Sequence, residues 1–283
     1  MWWGLCLVAV VAVACTQYCA QPASVRAVAS DARSTGATAT LPILMYHSIC
    51  KKNVGKYIVS PTQFENDLVM LKKHGFTAVF MSEVINWVDG RGKLPARPIV
   101  ITMDDGYYNN LYYGLEIAKR HNVKFMINPV TGFSQFTIDK KDANNPNYSH
   151  LTFEQMRECV ESGLVEIGNH THNLHSFKPR FGVMNLQGET DEHYRHAIEP
   201  DIRHAQELLA RGGVPAPTTF AYPFGKYSKK SRELLLNMGF RALLTCNELV
   251  NTIRQGDPTC LHSLGRFNRS GNYTTSYFVE KFR

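Results

Sequence analysis

Two acidic residues stand side by side in Thr102-Met103-Asp104-Asp105-Gly106, directly after the apolar run Pro98-Ile99-Val100-Ile101. Further along comes Gly168-Asn169-His170-Thr171-His172-Asn173-Leu174-His175, again after an apolar stretch. An Asp-Gly pair often does no more than turn the chain at the end of a strand. Next to a histidine cluster it can do more. Adjacent residues leaving a strand point in different directions, so one carboxylate can bind a metal while its neighbour faces a substrate. Imidazole is the commonest protein ligand for zinc-like ions. Two histidines separated by a short spacer can converge on one ion, with a distant Asp as third ligand. Three protein ligands with a position left open is the arrangement of catalytic rather than structural metal sites.

The elements that must position these residues alternate between strands and helices. Strands are expected at 41–46, 76–80, 99–102, 123–127, 164–167, 218–222 and 241–244, with a last one within 261–269. Helical spacing is clear at 61–74 through Phe64, Leu68 and Leu71, and Ser82 is expected to cap a helix carrying Val84, Ile85 and Val88. Further helices are expected at 112–121, 190–211, 231–238 and from 274. Thr152-Phe153-Glu154-Gln155 fits a capping box and opens a helix to about residue 162. Residues 130–150 and 176–190 show little pattern and are expected to be loops. Alternation of this kind argues for an α/β fold with a parallel sheet, closed or nearly closed as a barrel. The acid pair and the histidine cluster then sit at the ends of strands, where barrel enzymes place their chemistry.

The chain has 283 residues, 44% hydrophobic and 19% charged. That is ordinary for one globular domain with a sizeable core and excludes wholesale disorder. The formal net charge is +7, but the basic residues form no block, so a nucleic-acid partner is not expected. The apolar run at 5–14 has the length of a signal peptide and is short for a membrane span. Residues 1–20 are read as a leader, whether a signal peptide, a lipoprotein-like segment ending at Cys15 or an uncleaved anchor giving a membrane tether. Residues 21–40, rich in Ala, Ser and Thr, read as a flexible linker, and 41–283 as the catalytic domain, secreted or held at the outer surface. Cys50, Cys159, Cys246 and Cys260 are widely spaced with no Cys-x-x-Cys, which argues against a thiolate zinc site. Export permits a disulfide; four separate thiols is the favoured reading.

These motifs together resemble the polysaccharide deacetylases, the NodB-homology or carbohydrate esterase 4 family. Thr-Met-Asp-Asp-Gly stands where that family has Thr-Phe-Asp-Asp-Gly. His170-Thr171 followed by His175 is similar to its His-Ser/Thr-x-x-His motif with one added residue, and Ala221-Tyr222-Pro223-Phe224-Gly225 is similar to its third motif. The longer histidine spacing, with Met45-Tyr46-His47, resembles the branch containing biofilm poly-N-acetylglucosamine deacetylases. The resemblance runs from about residue 41 to 269.

It implies a single-domain distorted (β/α)-barrel of about seven strands and a hydrolase removing N-acetyl groups from an N-acetylglucosamine polymer or peptidoglycan. Asp104 would be the general base. Asp105, His170 and His175 would hold one divalent metal, zinc by default, with cobalt, nickel or iron as alternatives. The Phe224 backbone N–H after Pro223, with Tyr222 beside them, would face the oxyanion. Two departures follow. The family often has an Arg two residues before the third-motif Pro to orient the base, where this chain has Ala221, so Arg266 or Arg269 is expected to substitute. The late Leu-x-His acid motif is out of register, because His262 directly follows Leu261; His47 is favoured over His262 as the acid. One of Tyr107 and Tyr108 could stack on a sugar. An O-acetyl ester hydrolase acting on a polysaccharide such as xylan, and a non-catalytic carbohydrate-binding protein, remain the competing readings.

Overall fold

A computed structural model describes residues 36–283. The expected leader and most of the expected linker lie outside the described residues. The chain opens with β1 (Thr38–Leu41), β2 (Ile43–Tyr46), β3 (Ser48–Ile49) and β4 (Ile58–Val59). Helix α1 (Pro61–Lys73) follows, with Ser60 and Gln63 closing a reciprocal capping box at its start. Next come β5 (Thr77–Ala78), α2 (Met81–Val88), β6 (Pro98–Asp105), a π-helical turn running into α3 (Glu116–His121), β7 (Phe125–Pro129) and α4 (Thr131–Lys140). The second half holds α5 (Phe153–Glu161), β8 (Val165–Ile167), α6 (Asp191–Arg211), β9 (Thr219–Ala221), α7 (Lys229–Asn237), β10 (Ala242–Leu244), β11 (Asn251–Arg254), β12 (Phe267–Asn268) and α8 (Thr275–Glu280).

Five strands run parallel in the order β12-β2-β6-β7-β8, with β9 and β10 as a parallel pair beside them. Two parallel bridges join the pieces: Asn169 with Phe220 after β8, and Leu244 with Leu264 before β12. Seven parallel strands therefore close into a barrel, pinched at the two places where a single bridge replaces a ladder. The short β5 pairs the first residues of β6.

Strand periodicity sorts the core. Along β6, Ile101 and Met103 face outward against α1 and α3, while Val100 joins Ile43, Met126, Ala221 and Leu244 in the apolar plug inside the barrel. Asp104 is in step with Val100, so it tops the inward row.

Three expectations need correction. Residues 38–40 are not linker: β1 pairs antiparallel with β11, from Thr38 opposite Arg254 to Leu41 opposite Asn251. The Thr-Ala-Thr alternation suits an edge strand as well as a tether, and its partner is too distant in sequence for a local pattern to reveal. Residues 130–150 are not all loop. The buried face of α4 is Thr131, Ser134 and Thr137, so it carries no hydrophobic periodicity. Helix α2 begins at Met81, not after Ser82. The Glu83 carboxylate accepts from the Phe80 N–H at 2.8 Å, and Glu166 accepts from the Ser82 N–H at 3.2 Å. Among the described residues, Cys50, Cys159, Cys246 and Cys260 form no disulfide.

Candidate active site

The strand ends converge on a cleft of about 740 Å³ whose floor holds Asp104, Asp105, His170 and His175. Asp105 ends β6 with φ 71°, in the left-handed region that side chains rarely adopt, and Gly106 follows at φ 75°. A Cβ on Gly106 would meet Pro129 at 2.8 Å, so the turn needs glycine there. Thr171 (φ 74°) and Phe224 (φ 58°) are also left-handed. Left-handed non-glycine residues are costly and gather where the surroundings enforce them, commonly at functional sites. Here they mark all three motif loops.

The turn aims Asp105 across the barrel mouth. Its Oδ1 lies 3.8 Å from His170 Nε2 and 3.6 Å from His175 Nε2. These distances are too long for hydrogen bonds. Donors about 2.1 Å from one tetrahedral ion lie roughly 3.4 Å apart, so the spacing fits a shared cation. Asp105 Oδ1 is buried and has no hydrogen-bond partner. His170 Nδ1 sits 2.7 Å from the Ala221 carbonyl; donating there leaves the Nε2 lone pair facing Asp105. Burial pushes the His170 imidazole down to about 3 and lowers that of His175 as well. Both rings are thus neutral and able to ligate. Burial, reinforced by the Asp104 charge and opposed by His47, pushes the Asp105 carboxyl up to about 6. A cation at this point would relieve that cost. The donor set therefore fits a divalent metal.

Asp104 is separate from this triangle. Arg266 donates to both its oxygens, at 2.7 and 2.8 Å, and Asn128 donates at 2.8 Å. Arg266 is fully buried and also donates to Thr102 Oγ1 and the Thr245 carbonyl. Burial alone would raise the Asp104 carboxyl, but the charge and hydrogen bonds of Arg266, joined by His170 and His47, together outweigh it and hold the group well below the usual carboxylate range.

Arg269 is elsewhere. Its Nε donates to Asp67 at 2.6 Å, with neither side chain exposed. Arg266 and Arg269 flank the two-residue β12, an odd number of positions apart, so they leave opposite faces of the sheet. Arg266 points inside and Arg269 outside. Tyr222 also departs from expectation: it is buried and stacks on Tyr227 at 5.1 Å, away from the cleft. Pro223 is buried in the turn, and only Phe224 of the three lines the cleft. His47 lines the cleft, its ring 4.8 Å from Tyr57 and its Nδ1 buried without a partner. His262 does not line it. His172 turns away to Thr131 Oγ1, 3.0 Å off, and its ring packs on His204. Tyr107 lines the cleft and Tyr108 does not.

Sequence reasoning missed Asn128, which donates to Asp104, and Phe177, which lines the cleft. An Asn closing the otherwise apolar run Phe125-Met126-Ile127 was a usable signal for the first. Nothing in the loop sequence singled out the second.

The family model for polysaccharide deacetylase matches residues 91–243, more than half of the chain. The chain belongs to the polysaccharide deacetylase family. It is a hydrolase of that family, and the matched stretch contains Asp104, Asp105, His170, His175 and Phe224, while His47 and Arg266 lie outside it. A poly-β-1,6-N-acetyl-D-glucosamine N-deacetylase of Staphylococcus aureus strain MSSA476 is 24% identical over 216 residues, covering 75% of this chain and 69% of that one. Among solved structures, a de-N-acetylase from Aggregatibacter actinomycetemcomitans matches with a TM-score of 0.72 at 21% identity, over 85% of this chain and all of that one. IcaB from Ammonifex degensii matches at 0.65 and 25% identity, over 80% of this chain and 90% of that one. The fold of this polysaccharide deacetylase is thus the distorted (β/α)-barrel of its relatives.

Proposed function

We propose that this deacetylase removes N-acetyl groups from a polymer of N-acetylglucosamine outside the cytoplasm, with one divalent metal, zinc by default, held by Asp105, His170 and His175. The observation that carries the reading is the pairing of two carboxylates with opposite surroundings. Asp105 faces two neutral imidazoles, and Asp104 is locked on a guanidinium one residue away. The names of the relatives support the polymer, and the apolar run at 5–14 supports export.

A bound divalent cation would polarise the acetyl carbonyl and acidify the attacking water enough for a carboxylate of low proton affinity to act as base. Asp104 takes the proton as the water oxygen bonds to the acetyl carbon. Arg266 and Asn128 hold its oxygens in place and keep the carboxylate ionised. The Phe224 N–H, on a turn fixed by its left-handed backbone, donates to the developing oxyanion. As the C–N bond breaks, His47 delivers a proton to the amine nitrogen. Acetate and a free amino sugar leave.

Acetate release from N-acetylglucosamine polymers, peptidoglycan and acetylated xylan tests the reading. Release from the N-acetylglucosamine polymer, abolished by chelator and restored by zinc, is expected; cobalt, nickel and iron are compared in the same assay. Release from xylan alone would install the O-acetyl ester reading. Sugar binding without release from any substrate would make the chain a binding protein.

A further inference from the structure

Phe177 is 69% exposed, the most exposed large apolar side chain of the described residues. A single exposed ring needs no explanation, but this one belongs to an array. Phe177 stacks on Phe224 with centroids 4.4 Å apart and planes 22° from parallel, and Phe181 stacks on Phe224 at 4.9 Å and 18°. Phe224 in turn lies 4.4 Å from the ring of His175. The array therefore starts at a metal-ligand candidate and runs outward along the cleft wall to water.

The loop that presents it is braced. The Gly182 N–H donates to the Ser176 carbonyl at 2.9 Å, closing the loop on itself. A Cβ on Gly182 would meet Pro223 at 3.1 Å, so the loop lies directly on the turn carrying Phe224. Arg180 donates to both oxygens of Glu189, at 2.7 and 2.6 Å, and anchors the far side. A ring held this way binds without first being ordered.

We propose that Phe177, backed by Phe224 and Phe181, is a sugar-stacking platform that takes the residue of the polymer next to the one being deacetylated. A hexopyranose with equatorial substituents presents a face of axial C–H bonds. That face is apolar and flat, suited to the positive-edge, negative-face character of an aromatic ring. Two ring-to-ring steps of 4.4 Å, a tilted one from His175 to Phe224 and a stacked one from Phe224 to Phe177, place the exposed ring about one sugar residue out from the metal ligands. This assignment rests on the proposed N-acetylglucosamine reading and deepens it.

The test compares the full-chain wild type, Phe177→Ala and Phe177→Tyr on N-acetylglucosamine itself, which has no neighbouring residue, and on its hexasaccharide. The ratio of kcat/KM for the longer over the shorter substrate should fall about 3- to 10-fold in Phe177→Ala and be kept in Phe177→Tyr. Calorimetry of the chelator-treated proteins with the hexasaccharide reads binding without turnover, and should show the same weakening. An unchanged ratio with unchanged binding overturns the platform. Loss of binding to anionic phospholipid vesicles in Phe177→Ala, with sugar affinity unaltered, also overturns it and makes this ring a membrane contact. Absence of acetate release from every oligomer, with binding that Phe177→Ala still weakens, overturns the proposed reaction and keeps the platform. Failure of the wild type to bind the hexasaccharide removes the platform.

Discussion

Arg266 meets Asp104 with two parallel hydrogen bonds, 2.7 and 2.8 Å long, joining residues 162 positions apart inside the barrel. This fork, two parallel N–H···O bonds, is one that a guanidinium can make and a lysine ammonium cannot. It gives this chain what its Ala221 cannot supply, an arginine on the base.

Arg266→Lys keeps a positive charge but not the fork. Asp104 is held low by that fork and acts only when ionised. Weakening the pair raises its proton affinity in the folded state, so the acidic limb of kcat/KM moves to higher pH. Turnover should fall about 10²-fold, within the range for a mispositioned base. An unshifted limb with wild-type turnover would remove Arg266 from the site.

Arg269 serves the fold instead. With Tyr46 and Thr275 it surrounds the buried Asp67 carboxylate. It also donates to the carbonyls of Ser270 and Tyr273, two residues of the cleft wall. Removing one partner of a buried ion pair leaves the other uncompensated, so Arg269→Ala should cost about 3–5 kcal/mol in urea unfolding. The pH profile of the remaining folded enzyme should keep its shape. A shifted acidic limb would tie Arg269 to the base after all.

The contrast between these arginines shows how much of the site was legible. Asp104, Asp105, His170 and His175 stood out because each follows a short apolar run and because their spacing is local. The choice between Arg266 and Arg269 was not legible, since it depends on which face of a two-residue strand turns inward. Tyr222 was misplaced for the same reason: its motif fixes the backbone of the turn, while its side chain follows the strand's outward register. A parallel α/β barrel was readable from alternating elements, whereas the count of about seven strands came from the family resemblance; alternation gave eight, and the one at 76–80 is only the two-residue β5 beside β6. Helix α4, with Thr and Ser on its buried face, and β1, with its partner at the far end of the chain, gave no local signal.

His150 should make the protein acid-sensitive. Its ring lies between Tyr107 at 4.8 Å and Phe133 at 4.9 Å, its Nε2 has no partner, and burial pushes its imidazole down to about 4. A group depressed in the folded state contributes stability above its unfolded value, near 6.5, and loses it as pH falls toward the folded value. Between pH 6.5 and 4 the unfolded chain therefore gains a proton that the folded chain refuses. His150→Phe keeps the stack and removes the proton site. It should lose about 1–2 kcal/mol less than wild type between pH 7 and 5 in urea titrations. Parallel pH curves for the two proteins would refute the assignment.

His47 and His262 separate by what the leaving group needs. His47 lines the cleft with the two aspartates, whereas His262 ends a short helical turn near Asp257 and outside the cleft. An amine cannot leave without a proton, so His47→Gln should lower kcat on an N-acetylated sugar by about 10²–10³-fold. The same variant loses far less on an aryl acetate, because a phenolate departs unprotonated, and Asp104 still activates the water. His262→Gln should match wild type on both substrates. Equal losses on amide and aryl ester would assign His47 to shaping the cleft, because a group that only donates the leaving-group proton has nothing to contribute when that proton is not required.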